Sequence, residues 1–144
     1  MEVSIRVATP NDIDAIFRVR TSVRENALTI EGLAELGITP ASVTEMLSMV
    51  PCSWVAVAGE VVVGFSMVDL EDACLFAAFV SPDYEGRGIG KALVAAAEAA
   101  LFERHSKIWL ETSKTSRAAE FYHRSGWSEV ENIGEDDVKF EKVR

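Results

Sequence analysis

The sequence predicts an α/β domain in which strand-forming and helix-forming segments are interleaved along 144 residues. Three observations carry this. Segments with a two-residue apolar period, such as Val3, Ile5 and Val7, alternate with segments of helical spacing, such as Ile89, Leu93, Ala97 and Leu101. A nearly all-apolar run at 73–80 leads through a glycine-rich turn into an alanine-rich helix pattern. The length suits one domain with one core, taken as residues 1–144, and a hydrophobic fraction of 49% with four prolines belongs to a globular chain.

Taken in order, Val3–Val7 reads as a first strand with one exposed face. Thr9 caps a helix with Pro10 at its first position and Asp12 in its first turn, and the pattern carries that helix to about Asn26. Arg20 and Arg24 fall in phase with its apolar stripe of Ile13, Ile16, Phe17, Val23 and Ala27. Two readings stay open for them: stems buried at the rim of the core with heads in water, or the wall of an acceptor pocket where guanidiniums grip a carboxylate. After a loop containing Gly32 and Gly37, Thr39-Pro40 starts a second helix that Pro51 stops. Residues 53–58 and 61–68 form a hairpin around Gly59-Glu60, with Gly64 marking a bulge or a close backbone approach. The run at 73–80 is expected to be a central strand covered on both faces. Residues 107–112 are the next strand, Ser116–Ser125 a short helix ended by Gly126, and 127–130 with 138–140 a closing hairpin around an acidic loop. His105 complements a helix dipole and has no catalytic reading.

A formal net charge of −9 with no Lys/Arg run argues against a nucleic-acid surface. No stretch is long and apolar enough for a membrane span, and Met1-Glu2-Val3-Ser4 starts a strand pattern rather than a signal segment, so a cytoplasmic location is expected. Cys52 and Cys74 lie in or beside strand patterns without a CxxC or a histidine neighbour, which predicts buried free thiols and no metal site.

Chemistry concentrates at Glu85-Gly86-Arg87-Gly88-Ile89-Gly90-Lys91. Glycines at alternate positions strip Cβ atoms from a turn where a helix begins, and the unpaired N–H groups of a first turn suit a phosphate. A P-loop is excluded by Glu85 in place of its first glycine and Ala92 in place of its hydroxyl; a dinucleotide fingerprint fails at Lys91 and at Leu93. On the glycines alone, a helix-entry turn without a ligand stays equally open.

Residues 85–90 resemble the [RQ]-x-x-G-x-[GA] signature of the GCN5-related N-acetyltransferase (GNAT) superfamily, with Glu85 in place of the usual Arg or Gln. Residues 115–127 resemble a second segment of that superfamily, N-x-x-A-x-x-[FL]-Y-x-x-x-G-F, with Thr115 for the asparagine and Trp127 for the phenylalanine. The resemblance implies a GNAT acyltransferase fold: a mixed, mainly antiparallel central sheet splayed between its fourth and fifth strands, with helices on both faces. It implies acetyl-CoA as cosubstrate, its pantetheine arm entering the splay as an added strand. The cofactor-binding positions are then Phe79, Val80, Arg87, Gly88, Ile89, Gly90, Lys91 and Thr115. Tyr122 becomes the proton donor to the departing thiolate, and the backbone around Phe79 and Val80 the oxyanion donor. For the general base the candidates are Glu111, which interrupts an apolar strand beside the splay, then Glu25, or a water relay. His123, next to Tyr122 in sequence but turned about 100° on the helix, reads as solvated.

The acceptor expected from this is a primary amine of a small molecule such as an amino acid, with Arg20, Arg24, Glu25 and Asn26 on the acceptor wall. Neither cysteine has an evident base, which favours direct transfer over a covalent enzyme intermediate. Alternatives are acetylation of a protein N-terminus and a non-catalytic acyl-CoA sensor. No nucleic acid, membrane or metal partner is expected, and the resemblance makes a homodimer possible.

Overall fold

Alternating apolar and polar residues make Val3–Val7 the first strand (β1), and side chains close the turn that follows it. In the computed structural model, which describes residues 2–24 and 27–144, Thr9 N–H donates to Asp12 Oδ2 at 2.8 Å. Arg6 donates to both oxygens of the same carboxylate at 2.8 and 2.9 Å, which holds the Asp12 carboxyl below its ordinary range. A 3-10 turn at Pro10–Asp12 then feeds helix α1 (Ile13–Ser22).

Helix α1 stops four residues short of the end its apolar stripe predicts. Thr21 Oγ1 donates to the Phe17 carbonyl at 2.8 Å and Ser22 Oγ to the Val19 carbonyl at 2.7 Å, and Val23 is already extended. Hydroxyls that bind the carbonyls of the preceding turn weaken a helix, so Arg24 lies beyond α1 instead of in phase with it. A further helix, α2 (Ile30–Glu35), occupies part of the stretch read as a loop. Thr29 Oγ1 caps it by accepting from Gly32 N–H at 3.0 Å, and Leu33 anchors it in the core. With six residues and an internal glycine, it carries too little periodicity to be read. Helix α3 (Pro40–Met49) is capped by Thr39 with proline at its first position, as expected.

The remaining strands are β2 (Ser53–Ala58), β3 (Val61–Asp69), β4 (Cys74–Val80), β5 (Lys107–Ser113), β6 (Ser128–Ile133) and β7 (Asp137–Val143). They form one sheet in the order β1-β2-β3-β4-β5-β7-β6, antiparallel throughout except for β4–β5. This is the mixed, mainly antiparallel α/β sheet expected from the sequence. The closing hairpin is longer than its apolar residues suggest, because five of the six β6 residues are exposed and four of those five are polar.

Alternation assigns the faces. Gly64 and Ser66 of β3 meet helix α4 (Ile89–Arg104), where Ser66 Oγ donates to the Leu93 carbonyl at 2.9 Å. A Cβ on Gly64 would stand 3.0 Å from both Leu93 Cδ1 and the Phe79 carbonyl oxygen, so the glycine permits a close approach, and the register shift of a bulge lies beside it. Phe65 and Met67 point the other way, toward α1. Helix α5 (Arg117–Arg124) packs Tyr122 edge-on against Trp127 and tilted on Phe140. Glu98 of α4 ties this region in, accepting from Trp127 Nε1 at 3.1 Å and from Lys142 Nζ at 2.8 Å.

β4 and β5 are paired at a single position, Cys74 with Trp109, and diverge beyond it. The apolar β4 is therefore not covered on both faces as its sequence predicts. Phe76, the extra residue of a bulge against β3, is 44% exposed, and residues 77–80 are only partly buried.

Candidate active site

The divergence of β4 and β5 opens a cleft of about 1010 Å³. The turn after β4 forms one wall. Gly86 (φ +75°) and Gly88 (φ +81°) hold left-handed conformations that a side-chain-bearing residue adopts at a cost, so the chain can turn from strand to helix with its backbone bare. The first intrahelical bond of α4 is from Ala92 N–H to the Gly88 carbonyl at 3.2 Å. The N–H groups of Ile89, Gly90 and Lys91, all in residues lining the cleft, belong to the unpaired first turn and carry the positive end of the helix dipole. These features fit a pyrophosphate, the group that coenzyme A presents.

Of the sequence-predicted cofactor positions, Phe79, Val80, Gly88, Ile89, Gly90, Lys91 and Thr115 all line the cleft. Arg87 does not. Its guanidinium stacks 5.0 Å from the Tyr84 ring and donates to the Asp83 carbonyl at 3.5 Å. Glu85, where the resemblance implies Arg or Gln, is paired with Arg117 of α5 at 2.9 Å, so an arginine stands at that edge of the cleft from the opposite wall. Sequence reading missed Arg117, although its place one residue after the Ser116 cap fixes it at the start of α5. It also missed Arg124, Tyr84 and Asp137 as lining residues; nothing in their spacing marks them.

The β3–β4 register decides which β4 amides face the splay. Ser81 N–H donates to the Val63 carbonyl at 2.8 Å, making Gly64–Val80 a non-hydrogen-bonded pair and Phe65–Phe79 a hydrogen-bonded one. Phe79 thus spends its N–H on β3, while those of Ala78 and Val80 turn toward β5, across the cleft. Ala78 enters the donor set that sequence reading assigned to Phe79 and Val80.

Tyr122 and Glu111 both line the cleft, from opposite faces of the sheet. Tyr122 belongs to the α5 side, against Phe140, whose register partner is Leu110. Glu111, one residue on in β5, points to the α1 side with Trp109. Burial, and secondarily the Glu98 carboxylate, raises the Tyr122 phenol above its ordinary pKa and keeps it protonated at neutral pH. Glu111 is exposed, and Lys139 opposite it turns its ammonium to the Trp109 ring at 5.0 Å and to Glu141 at 4.0 Å. His123 is half-exposed, 3.5 Å from Glu129.

The acceptor-wall residues separate. Arg24 lines the cleft, whereas Arg20 lines a second, smaller cavity and lies 4.3 Å over the Phe79 ring, its pKa lowered by burial. Glu25 and Asn26 lie outside the described residues. Cys52 and Cys74 are buried free thiols, and burial pushes Cys74 up to about 12. Among the described residues no helix is long and apolar enough to cross a membrane.

The acetyltransferase (GNAT) domain family model matches residues 51–129, more than half of the chain and both segments that shape the cleft. No curated protein sequence matches. Among solved structures, the chain is similar to the PaiA N-acetyltransferase of Thermoplasma acidophilum in complex with coenzyme A, with 17% identity, all of both chains covered and a TM-score of 0.79. It is similar to a GCN5-related N-acetyltransferase of Rhodopseudomonas palustris, at 22% identity over 100% of this chain and 97% of that one, with a TM-score of 0.80. The ribosomal-protein-S18-alanine N-acetyltransferase of Escherichia coli is 19% identical over 99% of this chain and 94% of its own, with a TM-score of 0.76. At these identities the likenesses establish a common fold, and the family model establishes membership: the chain belongs to the GNAT acetyltransferase family.

Proposed function

We propose that residues 1–144 act as one N-acetyltransferase domain that moves the acetyl group of acetyl-CoA directly to a primary amine of a small molecule such as an amino acid. The observation that carries this is a cleft between unpaired strand ends, floored by a glycine-opened helix start, with a carboxylate and a protonated phenol on opposite faces of the sheet. When bound there, acetyl-CoA supplies an activated thioester carbonyl.

The N–H groups of residues 89–91 hold the pyrophosphate, with Lys91 and Arg117 adding charge at the cleft wall. An acceptor amine is mostly protonated at neutral pH, and Glu111 takes its proton, directly or through one water. The Ala78 and Val80 amides face the negative charge that develops on the carbonyl oxygen. As the new C–N bond forms and the C–S bond breaks, Tyr122 gives its proton to the sulfur, and the second proton lost by the nitrogen returns through water to the Tyr122 phenolate while Glu111 passes the first to solvent. Attack from the Glu111 face and departure toward the Tyr122 face then need no group to move across the sheet. The two buried cysteines favour direct transfer, since burial raises both thiols, Cys74 to about 12, and a thiol so held is a poor nucleophile at neutral pH. Arg24 at the cleft and Arg20 beside it provide cations for an acceptor carboxylate.

The test is thiol release from acetyl-CoA against a panel of amines and amino acids, with wild type and Tyr122→Phe side by side. The reading expects turnover to fall by about 10²–10⁴ in the variant with cofactor affinity retained, the range for loss of a positioned acid. Equal turnover in the two proteins would remove Tyr122 from the chemistry; cofactor binding with no release for any amine would favour a sensor.

A further inference from the structure

A second cavity of about 210 Å³ lies on the α1 face of the sheet, beside the cleft. Phe65, Met67, Ala77 and Phe79 form its floor, and α1 and α2 cover it through residues such as Phe17 and Leu33. Phe76, Ala77 and Phe79 line both this cavity and the cleft, so β4 is a wall common to the two spaces. The bulge leaves Phe76 44% exposed at that wall.

The face matters for chemistry. Cys74 pairs with Trp109, which puts Glu111 on the same side of the sheet as Ala77 and Phe79, while Tyr122 lies on the other. An amine that reaches the splay beside Glu111 therefore arrives from the cavity's side. Its substituent has an apolar space next to it. Arg20, the charged residue among the described lining, lies over the Phe79 ring and marks the polar end of that space.

We propose that this cavity is the subsite selecting the acceptor: it takes the apolar substituent of the primary amine, a branched aliphatic group or a single aromatic ring, while the nitrogen lies at the splay. This rests on the acetyl-transfer reading and narrows its acceptor from amines in general to apolar ones, such as amino acids of leucine or phenylalanine size. A dry apolar cavity of about 150 Å³ accepts benzene, so this one, at about 210 Å³, accommodates an isobutyl or benzyl group.

The test is calorimetric binding of methylamine, isopentylamine and phenethylamine to the wild-type protein saturated with coenzyme A, with thiol release from acetyl-CoA measured separately. Affinity should rise by about 100-fold or more from methylamine to isopentylamine and phenethylamine. Ile38 lines the cavity but not the cleft, and Ile38→Trp should erase the preference while coenzyme A affinity shows that the variant folds. Equal affinity across the amine series overturns the proposal whether or not thiol is released. A preference for hexanoyl-CoA over acetyl-CoA alongside a flat amine series overturns it as well, assigning the cavity to the acyl chain. A graded series without thiol release keeps the subsite and removes the transfer reading.

Discussion

At Tyr122, burial and the nearby Glu98 carboxylate both oppose ionisation, so the proposed proton donor enters the neutral range protonated. A phenol whose folded pKa lies above its unfolded value of about 10 stabilises the fold below that pH and loses the contribution as pH rises past it. Melting temperature should therefore fall between pH 9 and pH 11, by less in Tyr122→Phe than in wild type; equal slopes would mean the phenol is not buried in solution. Glu111→Gln keeps the shape of the side chain and removes the proposed base. Turnover at pH 7 should drop by about 10²-fold or more and recover in part as pH rises and the free amine accumulates, whereas a merely structural Glu111 gives a flat ratio of variant to wild type across pH. Tyr122 and Glu111 were legible as cleft residues because a tyrosine within a recognisable segment and a carboxylate within an apolar strand each stand out locally. The Glu85–Arg117 pair was not legible, since its members are 32 residues apart and meet only when α5 docks across the cleft.

The cleft depends on small departures from regularity in its elements. Gly64 lets α4 lie on β3, and any Cβ there meets Leu93 and the Phe79 carbonyl at 3.0 Å. Gly64→Ala should cost about 1–3 kcal/mol in denaturant unfolding and weaken coenzyme A binding as well, because the strand displaced is the one that presents the Ala78 and Val80 amides. Wild-type stability in this variant would show that Leu93 yields freely. Glycine, proline and capping residues made the strands, hairpins and α3 readable from sequence. What escaped was set by tertiary contact. α1 ends where the Thr21 and Ser22 hydroxyls bond back to its carbonyls, α2 is held by one buried leucine, and β4 looks like a covered strand although six of its seven residues line a cleft. An apolar sequence records what a strand can bury, not whether its neighbour stays paired to it.

For the molecule as a whole, one sheet carries two halves that are joined at a single residue pair between β4 and β5, and the function proposed here belongs to the gap. A ligand that bridges the gap binds only the folded state and must stabilise it. At a hundred times its dissociation constant that stabilisation is about 2.7 kcal/mol, which for a chain of this size shifts the melting temperature by roughly 5–15 °C. The net charge of −9 opposes polyanions in general, so a response to acetyl-CoA must come from the local donors at residues 89–91 and should be absent for inorganic polyphosphate at equal charge. The most direct measurement is the melting temperature with and without saturating acetyl-CoA: a rise of several degrees is predicted, and no rise at millimolar cofactor would contradict the assignment of the cleft.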